Sequence, residues 1–466
     1  MPDNTLGKLF RITVFGESHG RIIGVIVDGV PPGLKVSEKF IQEELNKRRP
    51  GKSDISSSRI EEDIVNIYSG VFQGLSTGAP ICMMIENKDT RPADYEDTST
   101  KPRPGHADYT AYVKYGGYSD YRGGGQFSGR ITAGFVMAGA IAKQLLAQKK
   151  IEVLAYTTQI SHITAKIPEI EETRKARDES RLYCPDPQAN KGMLSAILKA
   201  KSEGDSLGGI IQCVITGLPA GIGEPVFSSI ESEISKAMFS IPGVKGVEFG
   251  AGFKSATMKG SEHNDYFTYK EGKVITETNN AGGILGGIST GMPIIFNVAI
   301  KPTASISKEQ KTVNLDSGTD TTIRVTGRHD PCIVPRAVLV VEALAATVLV
   351  DLMMQADCFE PLMAADKADL KHQRKIIDKT TLKILELLKQ RMDAAEAIAK
   401  IKIRDKTSIR DPLREKELLD LCARYAKTIN LPEDVATKVI SRIMEETAKL
   451  EDKIAGKFVN HQPEDI

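Results

Sequence analysis

The residue usage of this chain changes near position 360, and that change constrains the fold more than any single motif. Up to that point the sequence is rich in glycine and dense in turn-forming motifs, such as RPGHADYTAYVKYGGYSDYRGGG from Arg103 to Gly125. After Asp366 it is poor in glycine, highly charged and helix-periodic until about Ala455. Since each pattern needs its own core, the sequence predicts two folded units.

We expect four segments along the chain, two of them folded. They are a first domain at residues 1–361, a linker at 362–368, a helical domain at 369–456 and a flexible tail at 457–466. In the first domain, short apolar runs bounded by glycine or proline predict strands at residues 22–30, 64–71, 81–85, 210–215, 247–253 and 293–300. Longer apolar segments predict helices at residues 132–149 and 337–354. The first domain is therefore predicted to mix strands and helices in an α+β class.

The predicted helix at residues 337–354 is apolar along most of its length. Glu342 and Asp351 interrupt it, so the sequence favours burial in a core or in an oligomer interface over a membrane span.

The helical domain shows local signals for three helices. Between Ile377 and Ala399, apolar residues recur at spacings of three, four and seven, which is typical of an amphipathic helix. After a polar loop, Asp411 stands before Pro412, a capping residue followed by proline at the first helical position. Pro432 is followed by two acidic residues and predicts the start of a third helix.

The composition excludes several classes of partner. The chain has 466 residues and a net charge of +1, so no overall field draws it to nucleic acid or to a membrane surface. The N-terminal stretch has no signal-peptide core. The six cysteines are scattered without a CxxC pair, which predicts reduced thiols in the cytoplasm and no zinc site. An anionic ligand must therefore be held by local clusters of arginine and lysine.

Two glycine-rich stretches, at residues 116–129 and 281–291, are candidate ligand loops. Neither fits the phosphate-binding lysine loop or the dinucleotide fingerprint, and glycine alone is equally typical of tight turns. Cations in or beside turn-like segments favour the ligand interpretation, because guanidinium groups suit phosphate and carboxylate. These cations are Arg48, Arg49, Arg122, Arg130, Lys301, Arg328 and Arg336.

Four of the seven histidines lie in loop-like motifs rich in glycine, proline or acidic residues. They are His19, His106, His263 and His329, and they are candidates for acid–base work near neutral pH. The other three, His162, His372 and His461, are predicted to be structural or exposed.

Taken together, several motifs of the first domain closely resemble chorismate synthase. They are FGESHG, VDGVPPG, RRPG, RPGHADYT, RGGG, GSEHND, AGGILGGIS, KPTASI and GRHDPCIVPRAV, and they occur in the family's order over nearly all of residues 1–360. The resemblance implies a β-α-β sandwich fold and a homotetramer. It also implies conversion of 5-enolpyruvylshikimate 3-phosphate to chorismate, with reduced FMN required but not consumed.

The resemblance also implies roles for individual residues. His19 would protonate the departing phosphate, His106 would keep the flavin correctly protonated, and Asp330 would relay a proton from it. Reduced flavin would supply electron density and accept the ring proton at N5. The positions implied in flavin binding are Arg48, Gln126, Phe127, Ser128, Gly286, Lys301, Pro302, Thr303, Ala304, Ser305 and Arg328.

The chain departs from the pattern of many relatives at four positions. Gln126, Phe127 and Ile131 stand where many relatives have arginine, serine and glutamate, and Asp54 stands where many have arginine. We interpret RGGGQFSGRIT as a subfamily form that lacks two of the expected positive charges.

Residues 370–452 resemble the all-helical chorismate mutase family, through RKIIDKTTLKILELLKQRM and IRDPLREKELL. The family's working positions fall on Arg374, Arg391, Lys402, Asp411, Arg414, Glu415, Thr447 and Glu451. The resemblance implies rearrangement of chorismate to prephenate without a nucleophile or a metal. The three arginines would grip the two carboxylates. Lys402 would reach the ether oxygen, Asp411 and Glu415 would hold the hydroxyl, and Thr447 and Glu451 would share a helix face that points into the site.

The spacing of two arginines adds a geometric argument. Arg374 and Arg391 are 17 positions apart on one predicted helix, and at about 1.5 Å per residue that is roughly 25 Å. A small dicarboxylate cannot bridge both. If both bind substrate, each site takes one arginine from each of two chains, which predicts an intertwined dimer.

We therefore predict a bifunctional enzyme of aromatic amino-acid biosynthesis that acts on small molecules. The alternative is an active synthase with a noncatalytic helical dimerisation or regulatory module. The intact set Arg374, Arg391, Lys402, Arg414 and Glu415 favours catalysis. A third hypothesis, a flavin-binding protein without the elimination, is disfavoured by His19, His106 and Asp330. Two sources of the flavin's electrons stay open, NADPH used by this chain itself or an external reductant.

Overall fold

The computed structural model describes residues 4–49, 61–270, 272–325, 329–356, 358, 370–405, 407–408, 411–429 and 431–459. The chain divides into two compact units, Met1–Met363 and Ala364–Ile466.

The first unit mixes strands and helices. Its strands are β1 (Thr5–Leu6), β2 (Arg11–Gly16), β3 (Ile22–Asp28), β4 (Asn66–Ser69), β5 (Val71–Phe72), β6 (Leu75–Ser76), β7 (Ile81–Glu86), β8 (Glu152–Ile160), β9 (Ile163–Thr164), β10 (Gly209–Thr216), β11 (Val244–Phe249), β12 (Phe267–Lys270), β13 (Lys273–Thr276), β14 (Ile284–Leu285), β15 (Ile288–Ser289), β16 (Ile294–Ile300), β17 (Gln310–Asn314) and β18 (Thr319–Ile323). Its helices are α1 (Glu38–Arg48), α2 (Asp108–Lys114), α3 (Thr132–Gln148), α4 (Ile170–Glu179), α5 (Pro187–Ser202), α6 (Ile230–Phe239), α7 (Gly260–His263) and α8 (Val334–Gln355), with 3-10 segments at Pro92–Ser99, Arg122–Phe127, Gly129–Ile131 and Gly252–Thr257.

Two five-stranded antiparallel sheets form the outer layers. One has the order β1-β2-β3-β7-β4 and the other β11-β16-β10-β8-β9. In β16 every second residue is buried, as the period-two geometry of a strand with one covered face requires. Residues of both sheets and of the helices between them belong to one continuous core.

Helices α3 and α8 lie between the two sheets. Helix α3 packs on β3 and on α8, while α8 packs on β8 and β10. Both helices are long and apolar enough to cross a membrane by composition, yet 94% of the α8 window and 67% of the α3 window are buried inside the protein. The predicted β-α-β sandwich is therefore confirmed, and the apolar helix is a core element.

The predicted strands overlap the observed ones, with one clear difference. Strand β11 ends at Phe249, and residues 252–257 form a 3-10 segment instead of the predicted end of the strand. Gly250 and Gly252 have φ of 55° and 54°, so the backbone turns out of the extended conformation there.

The second unit consists of α9 (Leu370–Arg404), α10 (Pro412–Thr428) and α11 (Glu433–Val459). The predicted cap is confirmed, because the side chain of Asp411 accepts a hydrogen bond from the backbone N of Arg414 at 3.1 Å. Helix α11 contacts both α9 and α10. It continues through Gly456 to Val459, later than the sequence predicts, because one glycine costs a helix only about 1 kcal/mol. The predicted linker lies outside the described residues.

A buried ion network joins three helices of the first unit. Nζ of Lys143 on α3 lies 2.5 Å from Glu44 on α1 and 2.7 Å from Glu342 on α8. Glu342 also accepts hydrogen bonds from Arg177 and from the backbone N of Ala155. Burial alone would raise the pKa of Glu44, but the charges of Lys143 and Lys47 lower it to about 2. The network therefore fixes α1, which carries a residue of the cavity described below.

We predict that Lys143→Met lowers the free energy of unfolding of the first unit by about 3–5 kcal/mol at pH 7, because two buried carboxylates lose their shared cation. In wild type, Glu44 contributes stability above its unfolded pKa of about 4.3, and that contribution is lost as pH falls through its folded pKa of about 2. In the variant, protonation of the buried carboxylates relieves their mutual repulsion. The loss of unfolding free energy therefore becomes smaller as pH falls from 7 to 5.

Urea denaturation of the full chain, followed by circular dichroism, measures this effect. Lys39→Met is the matched control, since Lys39 is 88% exposed and lies 3.9 Å from Glu43. It should cost about 0–1 kcal/mol. Equal costs for the two variants would contradict a structural role for the network.

Candidate active sites

A cavity of about 1130 Å³ opens in the first unit. Its lining comes from β2, from the 3-10 segments that precede α3, from the loop at residues 301–305 and from the start of α8. The sequence-predicted residues in this lining are Arg48, His106, Gln126, Phe127, Ser128, Arg130, Lys301, Pro302, Thr303, Ala304, Ser305, His329, Asp330 and Arg336. The structure thus brings together positions that are nearly 300 residues apart in the chain.

The RGGG motif lets two histidines approach the backbone. Gly123 and Gly124 have φ of 60° and 85°. A Cβ on Gly123 would lie 2.3 Å from Nδ1 of His19, and one on Gly124 would lie 2.9 Å from Cε1 of His106. Glycine is required at both positions for two reasons. The backbone has a positive φ, and the histidine rings leave no room for a Cβ.

His19 stands beside the cavity, next to the lining residue Gly123. Its ring meets Tyr95 edge-on, with centroids 5.0 Å apart. Nearby, Asp120 is held by the guanidinium of Arg122, with Nε to Oδ1 at 2.8 Å. Burial and the charge of Asp120 raise the pKa of Glu17, which lines the cavity.

His106 is surrounded by polar partners. Its Nδ1 lies 2.6 Å from Oδ1 of Asp108. Arg103 donates to the same carboxylate through Nε at 2.7 Å and Nη2 at 2.8 Å, and through Nη1 to Ser305 at 3.0 Å. Arg103 therefore connects the histidine loop to the loop at residues 301–305.

Buried arginines and acids lie at the inner end of the cavity. Arg48 donates through Nε to Thr132 at 3.0 Å and through Nη2 to the carbonyl of Gly129 at 2.7 Å. Asp63 accepts from Nη1 of Arg130 at 2.5 Å, and its other oxygen lies 3.7 Å from Nη1 of Arg48. Both of these facing atoms, Arg48 Nη1 and Asp63 Oδ2, are buried and lack a hydrogen-bond partner.

The arginine charges are close enough to affect one another. Burial first, and then the charge of Arg336, lower the pKa of Arg48, although a guanidinium stays protonated at neutral pH. Arg336 donates to Asp330 at 2.5 Å and to the backbone O of Arg48 at 3.2 Å. Asp63 has a φ of 50°, a left-handed conformation uncommon outside glycine and typical of functional sites. The cluster leaves an unsatisfied cationic donor for an anion.

The loop at residues 301–305 supplies further polar groups. Nζ of Lys301 donates to the carbonyl of Gly105, and burial followed by the charge of Lys245 lowers the pKa of Lys301. The hydroxyl of Thr303 is buried and has no hydrogen-bond partner. This loop is therefore equipped to bind a polar ligand.

Some predicted residues lie elsewhere or outside the described part. Gly286 lies in the turn between β14 and β15 and is not in the lining of the cavity, so a single chain does not bring it to the other predicted flavin contacts. His263, the last residue of α7, is hydrogen-bonded to Ser255 at 3.0 Å and does not line the cavity. Arg328 and Asp54 lie outside the described residues.

The second unit brings four predicted residues together between α9 and α11. Arg391 donates to the hydroxyl of Thr447, which itself donates to the carbonyl of Ile443 at 2.7 Å. Lys402 lies 3.3 Å from the carboxylate of Glu451, which is 9% exposed. Two cations of α9 thus each contact a polar residue of α11.

The other predicted residues of this unit stand apart from that group. Arg374 is exposed near the start of α9, which is one unbroken helix. Arg414 is exposed and pairs with Glu417 at 2.9 Å, while Glu415 is half-buried. Asp411 caps α10, as described above.

Sequence reasoning missed Asp63, Asp108 and Arg103 as site residues. Asp108 has a local signal, because it follows His106 by two positions in RPGHADY. No local signal in the sequence marks Asp63, because its partner Arg130 is 67 positions away.

Comparison with known proteins identifies two families. The family model for chorismate synthase matches residues 10–354, and that for chorismate mutase type II matches residues 373–452. A chorismate synthase of Dehalococcoides mccartyi is 54% identical over 353 residues, which cover 76% of this chain and 97% of the relative. One of Korarchaeum cryptofilum is 49% identical over 356 residues, 76% of this chain and 99% of that protein. A crystal structure of chorismate synthase has a TM-score of 0.60 at 29% identity, and the match covers 75% of this chain and 93% of the other.

We predict that Asp63→Asn destabilises the first unit by about 3 kcal/mol, because two buried arginines lose their negative partner. Asparagine tolerates the left-handed conformation, so the change isolates charge. Inorganic phosphate should raise the unfolding midpoint more in the variant than in wild type, because an anion can replace the lost charge.

Thermal unfolding with phosphate or with sodium chloride at matched ionic strength measures this effect. Asp28→Asn is the control, since Asp28 forms an exposed pair with Arg11. The same phosphate response in all three proteins would show that Asp63 does not compensate the arginines.

Proposed function

This chain belongs to the chorismate synthase family and carries a chorismate mutase type II domain after it, and on that basis we propose which residues perform each reaction. It is a bifunctional enzyme of aromatic amino-acid biosynthesis. The first domain eliminates phosphate from 5-enolpyruvylshikimate 3-phosphate, and the second rearranges the chorismate so formed to prephenate. Two groups of contacts support the residue assignments: Arg48, Arg130 and Arg336 line the cavity of the first domain, and in the second domain Arg391 and Lys402 pair with Thr447 and Glu451.

The cavity of the synthase domain fits reduced FMN together with the substrate. Its volume of about 1130 Å³ exceeds the roughly 300–1,000 Å³ of a usual small-molecule site. Two buried polar atoms of residues that line the cavity make no hydrogen bond, Nη1 of Arg48 and Oγ1 of Thr303, and both would donate to a phosphorylated ligand. Phe135, Val340 and Leu344 supply apolar wall suited to a flavin ring.

We assign flavin binding to residues 126–128 and 301–305, with Arg48. Reduced FMN, when bound, would supply electron density for the elimination and accept a ring proton, with no net redox change. Gln126 and Ile131 carry no charge where relatives have arginine and glutamate. Arg48, Arg130 and Arg336 therefore provide the positive charge inside the cavity, and Lys301 provides it from the loop.

The proton-handling residues belong to separate parts of the cavity. His19 protonates the departing phosphate, which matches its position beside Gly123. His106 donates or accepts a proton at the Nε2 edge of its ring, next to Gly124. Asp330, which accepts a hydrogen bond from Arg336 at 2.5 Å, is the proton relay.

The mutase site works by positioning and electrostatics. Arg391 binds a carboxylate of chorismate and favours the compact conformer in which the reacting carbons meet. Lys402 stabilises the negative charge that develops on the ether oxygen. Asp411 and Glu415 would hold the substrate hydroxyl from the N-terminal end of α10.

We infer that mutase sites are completed by a second copy of this chain. Arg374 and Arg391 are 17 residues apart on α9, or roughly 25 Å, too far for one substrate. Helix α9 also exposes apolar side chains, including Ile377 at 64% and Ile384 at 56%. An exposed apolar stripe favours pairing with another helix. Dimerised mutase domains on a homotetrameric synthase are the assembly we propose.

We predict that His106→Ala lowers chorismate formation by about 10²–10⁴-fold, the usual contribution of a general acid–base residue. Conversion of added chorismate to prephenate by the same chain should be unchanged, because that reaction uses the second domain. Both rates are measured on full-length protein with anaerobically reduced FMN.

His162→Ala is the matched control, since His162 is exposed in the turn between β8 and β9. It should keep the wild-type rate of both reactions. Wild-type-like synthase turnover in His106→Ala would remove His106 from the mechanism.

We predict that Glu451→Gln raises mutase activity at neutral and alkaline pH by roughly tenfold or more. The ether oxygen is a hydrogen-bond acceptor that gains charge, so a carboxylate repels it, whereas glutamine donates at any pH. A hydrogen bond to a charged group contributes about 1.5–3 kcal/mol, which gives this scale.

The pH–rate profile of prephenate formation measures the effect. Glu446→Gln changes an exposed glutamate of the same helix, paired with Lys449 at 2.9 Å, and should leave the profile unchanged. If Glu451→Gln also leaves it unchanged, Glu451 does not face the ether oxygen.

A further inference from the structure

We propose that Asp108 is a positioning residue for the synthase reaction: it fixes the Nδ1–H tautomer of His106, so that His106 exchanges its proton through Nε2. This inference rests on the proposed acid–base role of His106. It is carried by the contacts around Asp108, a residue in the first turn of α2 that neither comparison nor motif assigns.

Asp108 is held as a carboxylate. Its Oδ2 accepts from Nε of Arg103 at 2.7 Å and from the backbone N of Arg103 at 3.0 Å, while Oδ1 accepts from Nη2 at 2.8 Å. Its side chain is 8% exposed. Burial would raise the pKa of Asp108, but the hydrogen bonds from Arg103 and His106 lower it well below its usual range. The carboxylate is therefore charged and can only accept hydrogen bonds.

That charge decides which ring nitrogen of His106 carries a hydrogen. Nδ1 lies 2.6 Å from Oδ1 of Asp108. Two acceptors cannot share a contact this short, so Nδ1 donates. Nη2 of Arg103 also lies 3.1 Å from Nδ1. Since a protonated Nδ1 offers no lone pair, the hydrogen on Nη2 is directed to Asp108 and not to the ring.

The other ring edge is therefore the working edge. Cε1 and Nε2 lie over Gly124, where a Cβ would be 2.9 Å and 3.1 Å from them. The charged groups nearest the ring are Asp108, Arg103 and Lys301, whose Nζ donates to the carbonyl of the adjacent Gly105. Gly124, on the 3-10 segment that faces the ring of His106, contributes no charge.

The first test observes the tautomer directly. Full-length protein with ¹⁵N-labelled histidine is studied by NMR, and the His106 signals are assigned by their loss in His106→Ala. Neutral His106 should carry its hydrogen on Nδ1 in wild type, and Asp108→Asn should populate the Nε2–H form. If the neutral ring of the wild-type protein carries its hydrogen on Nε2, the proposal is overturned, whatever the stability of the variant.

The second test is a double-mutant cycle in synthase turnover. Asp108→Asn should slow chorismate formation by about 10²-fold, because the ring of His106 then also populates the tautomer with its hydrogen on Nε2. In a His106→Ala background, Asp108→Asn should lower the rate of chorismate formation by less than about twofold further, because both changes act through one ring. Urea denaturation followed by circular dichroism reports the folding of the first unit in each variant, and Asp28→Asn should change neither rate.

Two failures are distinguishable. If His106→Ala turns over like wild type, the proposed acid–base function itself is wrong, and the positioning role falls with it. The other failure concerns Asp108 alone, and it requires that His106→Ala is slow. The role of Asp108 is then wrong if Asp108→Asn makes chorismate as fast as wild type. It is also wrong if Asp108→Asn slows the reaction as much in the His106→Ala background as it does in wild type.

Discussion

The synthase cavity depends on a balance between buried arginines and buried carboxylates. Asp63 faces both Arg48 and Arg130, and the Oδ2 of Asp63 and Nη1 of Arg48 confront each other at 3.7 Å without a hydrogen bond. Burying such groups is costly unless the charges are paired, so the structure must hold them in place by other contacts. The pairing between Arg48 and Asp63 is incomplete, and Arg48 lines the cavity together with Arg130 and Arg336.

The central helices supply the rigidity for this arrangement. Glu44 and Arg48 lie one turn apart on the buried face of α1. Glu44 is tied to Lys143 and, through it, to Glu342 on α8, so the network in the core sets the position from which Arg48 reaches the cavity. One short helix thus carries both a residue of the core ion network and a residue of the cavity lining. The mutase domain uses a different solution, with its cations on long helices and partners supplied across α9 and α11.

Local rules predicted the parts of the fold that local interactions determine. The Asp411–Pro412 start of α10 and the burial of α8 follow from capping and from apolar composition, and both were confirmed. Strand β8 was not predicted, because apolar and polar residues do not alternate regularly along it. Its burial comes from contacts with α8. In the same way, the family's motifs located His106 and Asp330, yet could not place Asp63, whose role comes from partners distant in sequence. Gly286 shows the limit of motif transfer, since its turn is outside the cavity lining of one chain.

The central claim is that one chain makes chorismate and consumes it. The direct measurement is an anaerobic time course of full-length protein with reduced FMN and 5-enolpyruvylshikimate 3-phosphate, in which phosphate, chorismate and prephenate are quantified together. We expect phosphate release to be matched by prephenate, with chorismate only as an intermediate, and Arg391→Ala to stop the sequence at chorismate. Stoichiometric accumulation of chorismate by the wild-type chain, with no prephenate, would contradict the account.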